Sequence, residues 1–152
     1  MRDDISTLFE ALLPLQQEKL TLLEALYLSN REKRTLIKTG SPEATAEKVE
    51  NELNIVEEID CIDAKIAALK KEISERCGII ENEFDTRFSS IDESLSKQYF
   101  DMDGQILHME KKAMRENTAF LHELESVLAS TKKDIEELRR IAILAGKIRR
   151  MR

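Results

Sequence analysis

Residues 55–80 read IVEEIDCIDAKIAALKKEISERCGII, and the side chains Ile55, Ile59, Ile62, Ile66, Leu69, Ile73, Arg76 and Ile80 follow one another in steps of four and three. All but Arg76 are apolar. A period that alternates between three and four keeps one stripe of a helix apolar and is the mark of a coiled-coil seam. Strands would need short β-branched or aromatic runs between turn residues, and the chain has none, so the fold class is all-α. Arg76, Cys77 and Gly78 stand together, which predicts an irregular stretch of helix at that point.

Upstream, Thr39-Gly40-Ser41-Pro42-Glu43 marks a boundary. Gly40 suits a left-handed position after a helix, Ser41 an N-cap and Pro42 a first helical residue. A connection this short turns the chain back on itself as a helical hairpin. Helix one is expected over 3–39, with a seam of Ile5, Leu8, Leu12, Leu15, Leu22, Leu26 and Leu36. Phe9, Leu13, Leu20, Leu23 and Ile37 widen that stripe enough for two neighbours. Pro14 predicts a kink near residues 10–14 or a break there. Helix two is expected over 42–85.

From Phe88 the pattern runs through Ile91, Leu95, Met102, Ile106, Met109, Ala113, Phe120, Leu124, Leu128, Ile135 and Leu138, which predicts a third helix over 90–145. Ser90 with Glu93 makes a capping box for its start. Asp101-Met102-Asp103-Gly104 is a weaker break signal inside it. The chain thus reads as a single helical domain over 1–152, an elongated antiparallel hairpin or three-helix coiled-coil bundle, with a basic tail at 139–152. Helices of about 35–60 residues leave apolar stripe that one hairpin cannot cover, which points to a three-helix antiparallel bundle, with a second copy in a homodimer as a further way to complete it.

Charged residues make up 36% of the 152, with four Gly, two Pro and no Trp, the composition of long helices with narrow seams. The net charge is −6, but residues 139–152 carry six Arg or Lys and no acid, so residues 1–138, with 18 basic and 30 acidic side chains, stand at −12. Such a body repels phosphate backbones and argues against nucleic acid as a partner. Met1-Arg2-Asp3-Asp4 is too acidic for a secretory signal, and no run approaches the roughly 18 apolar residues of a membrane span. A cytoplasmic location is expected. Cys61 and Cys77, sixteen positions and about 24 Å apart along one helix, lie beyond the ~7 Å reach of a disulfide. They are expected to be small buried or half-buried residues of a reducing compartment.

The residues that chemistry would need are missing. Gln105 and Ala119 stand three positions before His108 and His122, so neither histidine has the Glu-x-x-His spacing of di-metal bundles. There is no His-Glu-x-x-His, no Cys-x-x-Cys and no calcium loop. The four glycines are isolated, and no loop can wrap phosphates. Carboxylates sit in patterns such as Glu43 with Lys48, or Glu136 with Arg139 and Arg140, that decorate solvated helix faces. No enzyme activity, cofactor or metal is expected. What remains is surface for binding. Met102, Met109, Met114 and Phe120, with Leu121, Leu124 and Leu128, form an adaptable apolar stretch that reads either as ordinary core, the favoured reading, or as a surface suited to partner helices. The tail interleaves its cations with Ile141, Ile143, Leu144 and Ile148, a pattern that serves an acidic partner or an anionic membrane surface. A basic end that complements the helix dipole explains it equally well.

Two stretches resemble the FlgN-like flagellar export chaperones. One runs from Leu12 to Ile73, where a Leu-rich helix ending in Glu32-Lys33-Arg34, a short loop and a seamed helix follow in order. The other is Arg115-Glu116-Asn117-Thr118-Ala119-Phe120-Leu121 with Leu124 and Leu128, similar to the family's Asn-x-x-Leu-Leu signature. The resemblance implies a cytoplasmic chaperone that binds hook-filament junction subunits through its C-terminal helix and delivers them to the export apparatus. On that basis the expected client face is Met109, Asn117, Phe120, Leu124, Leu128, Ile135 and Ile141. The strongly basic end departs from the family's less charged tail. The alternative is a structural coiled-coil adaptor without a client, and the third reading is a membrane-surface or nucleic-acid role through the basic tail, with a membrane surface not the expected partner.

Overall fold

The computed structural model of the chain describes residues 2–80, 83–130 and 135–150. The boundary at Gly40 is a Schellman turn. Gly40 has φ 76°, the Ser41 N–H donates to the Leu36 carbonyl at 3.1 Å, and the Gly40 N–H donates to that of Ile37 at 3.4 Å. The Ser41 carbonyl then accepts the Thr45 N–H at 3.0 Å, the first bond of the next helix. Helices α1 (Arg2–Lys38) and α2 (Pro42–Cys77) flank this turn. Pro14 lies inside α1, which is continuous, so no break occurs there. Pro14 and Glu10 are both on an exposed face, where water can take the carbonyl that proline leaves without a donor.

A second Schellman turn ends α2 at Cys77, eight residues short of the expected 85. Gly78 has φ 67°, and the Ile79 N–H donates to the Ser74 carbonyl at 2.9 Å. Ile80, expected in the seam, therefore lies outside the helix and is exposed, while Arg76 turns outward to Glu72 at 2.9 Å.

The helix expected over 90–145 is divided. Helix α3 (Phe84–Ile91) ends at Asp92, α4 spans Glu93–Ser130 and α5 spans Ile135–Arg150. Residues 131–134 lie outside the described residues. Asp92, not Ser90, caps α4, because its Oδ1 accepts the Leu95 N–H at 3.0 Å. Ser90 sits in the last turn of α3 and donates to the Arg87 carbonyl. Gly104 stays helical, so the break signal at 101–104 is not realised. Among the described residues there are five helices and no strand, an all-α bundle.

The helices form two compact units: Met1–Thr21 with Ile59–His108, and Leu22–Glu58 with Met109–Arg152. The first has an aromatic core of Phe9, Phe84, Phe88 and Tyr99 with Leu12 and Ile73. Phe9 stacks on Phe88 at 4.3 Å and the Tyr99 ring meets Phe88 edge-on at 5.2 Å, geometries that add roughly 0.5–1.5 kcal/mol each to area burial. Short α3 exists to deliver two of these rings. Gln16, buried at a seam position, donates to the Tyr99 carbonyl at 3.1 Å and ties α1 to α4.

The cap makes a direct prediction. Asp92→Ala should lower unfolding stability in urea by about 1 kcal/mol, whereas Ser90→Ala should stay within about 0.5 kcal/mol of the parent; equal losses would restore Ser90 as the cap.

Candidate protein-binding site

In the second unit, α5 is the clearest case of an amphipathic helix held in a groove. Leu138, Ile141, Ala145 and Ile148 follow steps of three, four and three, and all four are buried. Each large side chain among them contributes roughly 1.5–3 kcal/mol by leaving water. Glu136 and Glu137 open the helix while Lys147, Arg149 and Arg150 close it, the charge order that its dipole favours. Ala142 and Gly146 border a crevice shared with Leu121, Leu124 and Leu128 of α4. Arg140 donates to Glu50 of α2 at 2.7 Å. Where α5 ends, Ile148 closes over Leu23, Leu26, Val56 and Ala113, leaving a cavity of about 20 Å³, room for about one water.

The expected client face falls largely inside this unit. Asn117, Phe120, Leu124 and Ile141 are buried, and Met109 and Leu128 are half-buried. Ile135 opens α5, and its side chain lies outside the described residues. These residues therefore do not form an open face in this structure. Leu124 borders α5, which folds back beside α4 instead of extending it, and Ile141 is buried on α5 itself, whereas the Phe120 ring lies under Lys33 of α1. Met114 is exposed.

Three polar residues at the centre of the unit escaped the pattern reading. Along α1 the buried positions are Leu23, Leu26, Asn30, Lys33 and Ile37, and along α2 they include Val49, Glu52, Val56 and Ile59. Asn30, Lys33 and Glu52 thus occupy seam positions; the unbroken steps of three and four were the signal that could have found them. Lys33 Nζ lies 2.6 Å from Glu52 Oε2, both side chains being fully buried. It donates to Asn117 Oδ1 at 3.2 Å and stands 4.3 Å from the centre of the Phe120 ring. One ammonium thereby joins α1, α2 and α4. Burial pulls the Lys33 ammonium down against the attraction of Glu52, and burial pushes the Glu52 carboxyl up against Lys33 and Ser29. Loss of water outweighs the mutual attraction in both.

Beside this layer, Arg34 reaches Glu116 and Glu123 of α4, each at 2.8 Å. Partial burial alone would raise the Glu123 carboxyl, but hydrogen bonds and charge from Arg34 and Lys38 hold it below its ordinary value of 4.5. The surface pairs differ from those expected: Lys48 pairs with Glu32, and Arg140 with Glu137 and Glu50. His108 and His122 are exposed. So is Cys61, expected to be at least half-buried, while Cys77 is half-buried with its thiol pushed up by burial. Among the described residues no three His, Cys, Asp or Glu side chains cluster as a metal site, and no helix is long and apolar enough to cross a membrane.

Breaking the buried pair on one side should be severe. Lys33→Met leaves Glu52 buried without its ion-pair partner and should cost about 3–5 kcal/mol, whereas Lys33→Met with Glu52→Leu should be neutral or stabilising; urea unfolding of the two variants decides. The Glu123 contact carries a sign in pH. A carboxyl held low stabilises the fold above its unfolded value near 4.5 and loses that contribution as pH falls through the lower folded value. Acid titration of stability should therefore show a fall below about pH 4.5 that Arg34→Met reduces; an unchanged acid limb would refute the coupling.

No protein-family model, curated protein or solved structure matches this chain, so its function is read from its own residues.

Proposed function

We propose that the chain is a protein-binding chaperone, without a catalytic step, that holds an amphipathic client helix. The observation that carries this reading is α5 itself: the second unit already accommodates a helix with a three-four-three apolar stripe. A groove that fits Leu138, Ile141, Ala145 and Ile148 is chemically suited to another helix with that pattern. Together with the resemblance of the Arg115–Leu121 stretch, this favours the FlgN-like reading: a cytoplasmic chaperone of flagellar type III export that binds hook-filament junction subunits and passes them to the export apparatus. Leu124 is buried and borders the α5 crevice, so a client that uses it must take the place of α5. Helices of 37, 36 and 38 residues also suit the second reading, a structural helical adaptor.

Light scattering of the protein mixed with hook-filament junction subunits separates the two. A 1:1 complex is expected, and weakening α5 docking with Ile141→Asp should tighten it at least about tenfold, the equivalent of 1.4 kcal/mol. Circular dichroism verifies that the variant keeps its remaining helices. Absence of a complex with both proteins overturns the chaperone reading and leaves the adaptor.

A further inference from the structure

The outer faces of α2 and α5 in the second unit carry opposite charge in parallel rows. On α2, Glu43, Glu47, Glu50 and Glu57 are exposed and recur at steps of four, three and seven, one face of the helix. On α5 the exposed row is Arg139, Ile143, Lys147 and Arg150, at steps of four, four and three. The rows are neighbours, since Arg140 binds Glu50 at 2.7 Å and Glu137 borders the turn at Gly40–Ala44. Glu50 is engaged in that contact. Among the described residues, Glu43, Glu47, Glu57, Arg139, Lys147 and Arg150 form no ion pair. A favourable helix dipole accounts for Lys147 and Arg150 in the last turn. It does not account for Arg139 in the N-terminal half of the helix, nor for Ile143, which is 63% exposed at the centre of the row.

We propose that this face docks a second copy of the same chain. An acidic row beside a parallel basic row is self-complementary: a two-fold axis along the helices sets α2 of one copy over α5 of its partner, twice, and brings the two Ile143 side chains toward the axis. Sixteen residues of α5 measure about 24 Å, and two helices are about 20 Å wide, so each copy contributes roughly 500 Å², at the weak end of specific interfaces. A polyanion fits less well. The acidic row lies alongside the basic one and repels a membrane surface or a phosphate backbone as strongly as α5 attracts it. This inference is independent of the client reading.

The test is sedimentation velocity on the full chain at low and high salt, with two charge-reversed variants. The unmodified protein is expected to dimerise at low salt and to dissociate as added salt shortens the screening length to ~3 Å near 1 M. Glu47→Lys with Glu57→Lys, and separately Arg139→Glu with Lys147→Glu, should each raise the dimer Kd at least about tenfold, since like rows then face one another. Mixing the two variants in equal amounts should restore a dimer, because each altered row then meets its opposite. Circular dichroism and urea unfolding establish that both variants are folded before mixing. A monomer at low salt, a dimer indifferent to both reversals, or folded variants that fail to pair on mixing overturns the proposal. Binding of the unmodified chain to phosphatidylglycerol vesicles without dimer formation overturns it in favour of a membrane surface.

Discussion

A lysine ammonium closed inside a helical core is the constraint on which the second unit depends. Lys33 has no exposed surface, and among the described residues its charge is answered by Glu52, Asn117 and the face of Phe120. A buried charge that loses its partner costs several kcal/mol, so the three helices that supply those groups have one tolerable register. Sliding α1 by a turn would carry Lys33 away from Glu52 and leave two charges in an apolar interior. An apolar layer of similar volume would hold the helices together as well, but it would hold them in more than one alignment. That is why polar residues can sit at seam positions without weakening the specificity of the fold.

The first unit reaches definition by a different route. Its core is aromatic, and the rings come from three places that the chain must bring together: Phe9 on α1, Phe84 and Phe88 on α3, and Tyr99 on α4. A long uninterrupted helix from residue 42 onward could not present Phe84 and Phe88 to Phe9. The stop at Gly78 and the cap at Asp92 therefore have a packing purpose, and α3 exists because the rings it carries are buried there. Two cores of different chemistry follow, one fixed by ring geometry and one by a desolvated ion pair.

Function in a chain of this kind resides in helix faces. The inner face of α5 gives the second unit its helix-holding groove, and its outer face carries a row of cations beside the acidic row of α2. A single sixteen-residue helix thus presents two surfaces of different chemistry, one apolar and one charged. The proposed client capture draws on the first and the proposed self-association on the second, and the two are separable because the apolar stripe of Leu138, Ile141, Ala145 and Ile148 and the exposed row of Arg139, Ile143, Lys147 and Arg150 share no residue.

Much of this was legible in the residues alone. The period of three and four around Ile55–Ile73 decides the all-α class, and Gly40, Ser41 and Pro42 locate the first turn because left-handed backbone, N-cap and fixed φ are local properties of those residue types. The extent of α4 and α5 was not legible, since the same apolar period continues through both and a period cannot say whether a helix extends or folds back. The burial of Asn30, Lys33 and Glu52 was legible only in part: their steps of three and four put them on the seam, but taken singly each belongs on a surface, and only the meeting of positions 33, 52 and 117 in space gives Lys33 and Glu52 something to bind. What covers the stripe of Phe120 and Leu124 was hidden for the same reason. Helical spacing determines which residues share a stripe, whereas the neighbour that covers the stripe is a long-range choice, made here by α5 beside Leu124 and by Lys33 of α1 over Phe120.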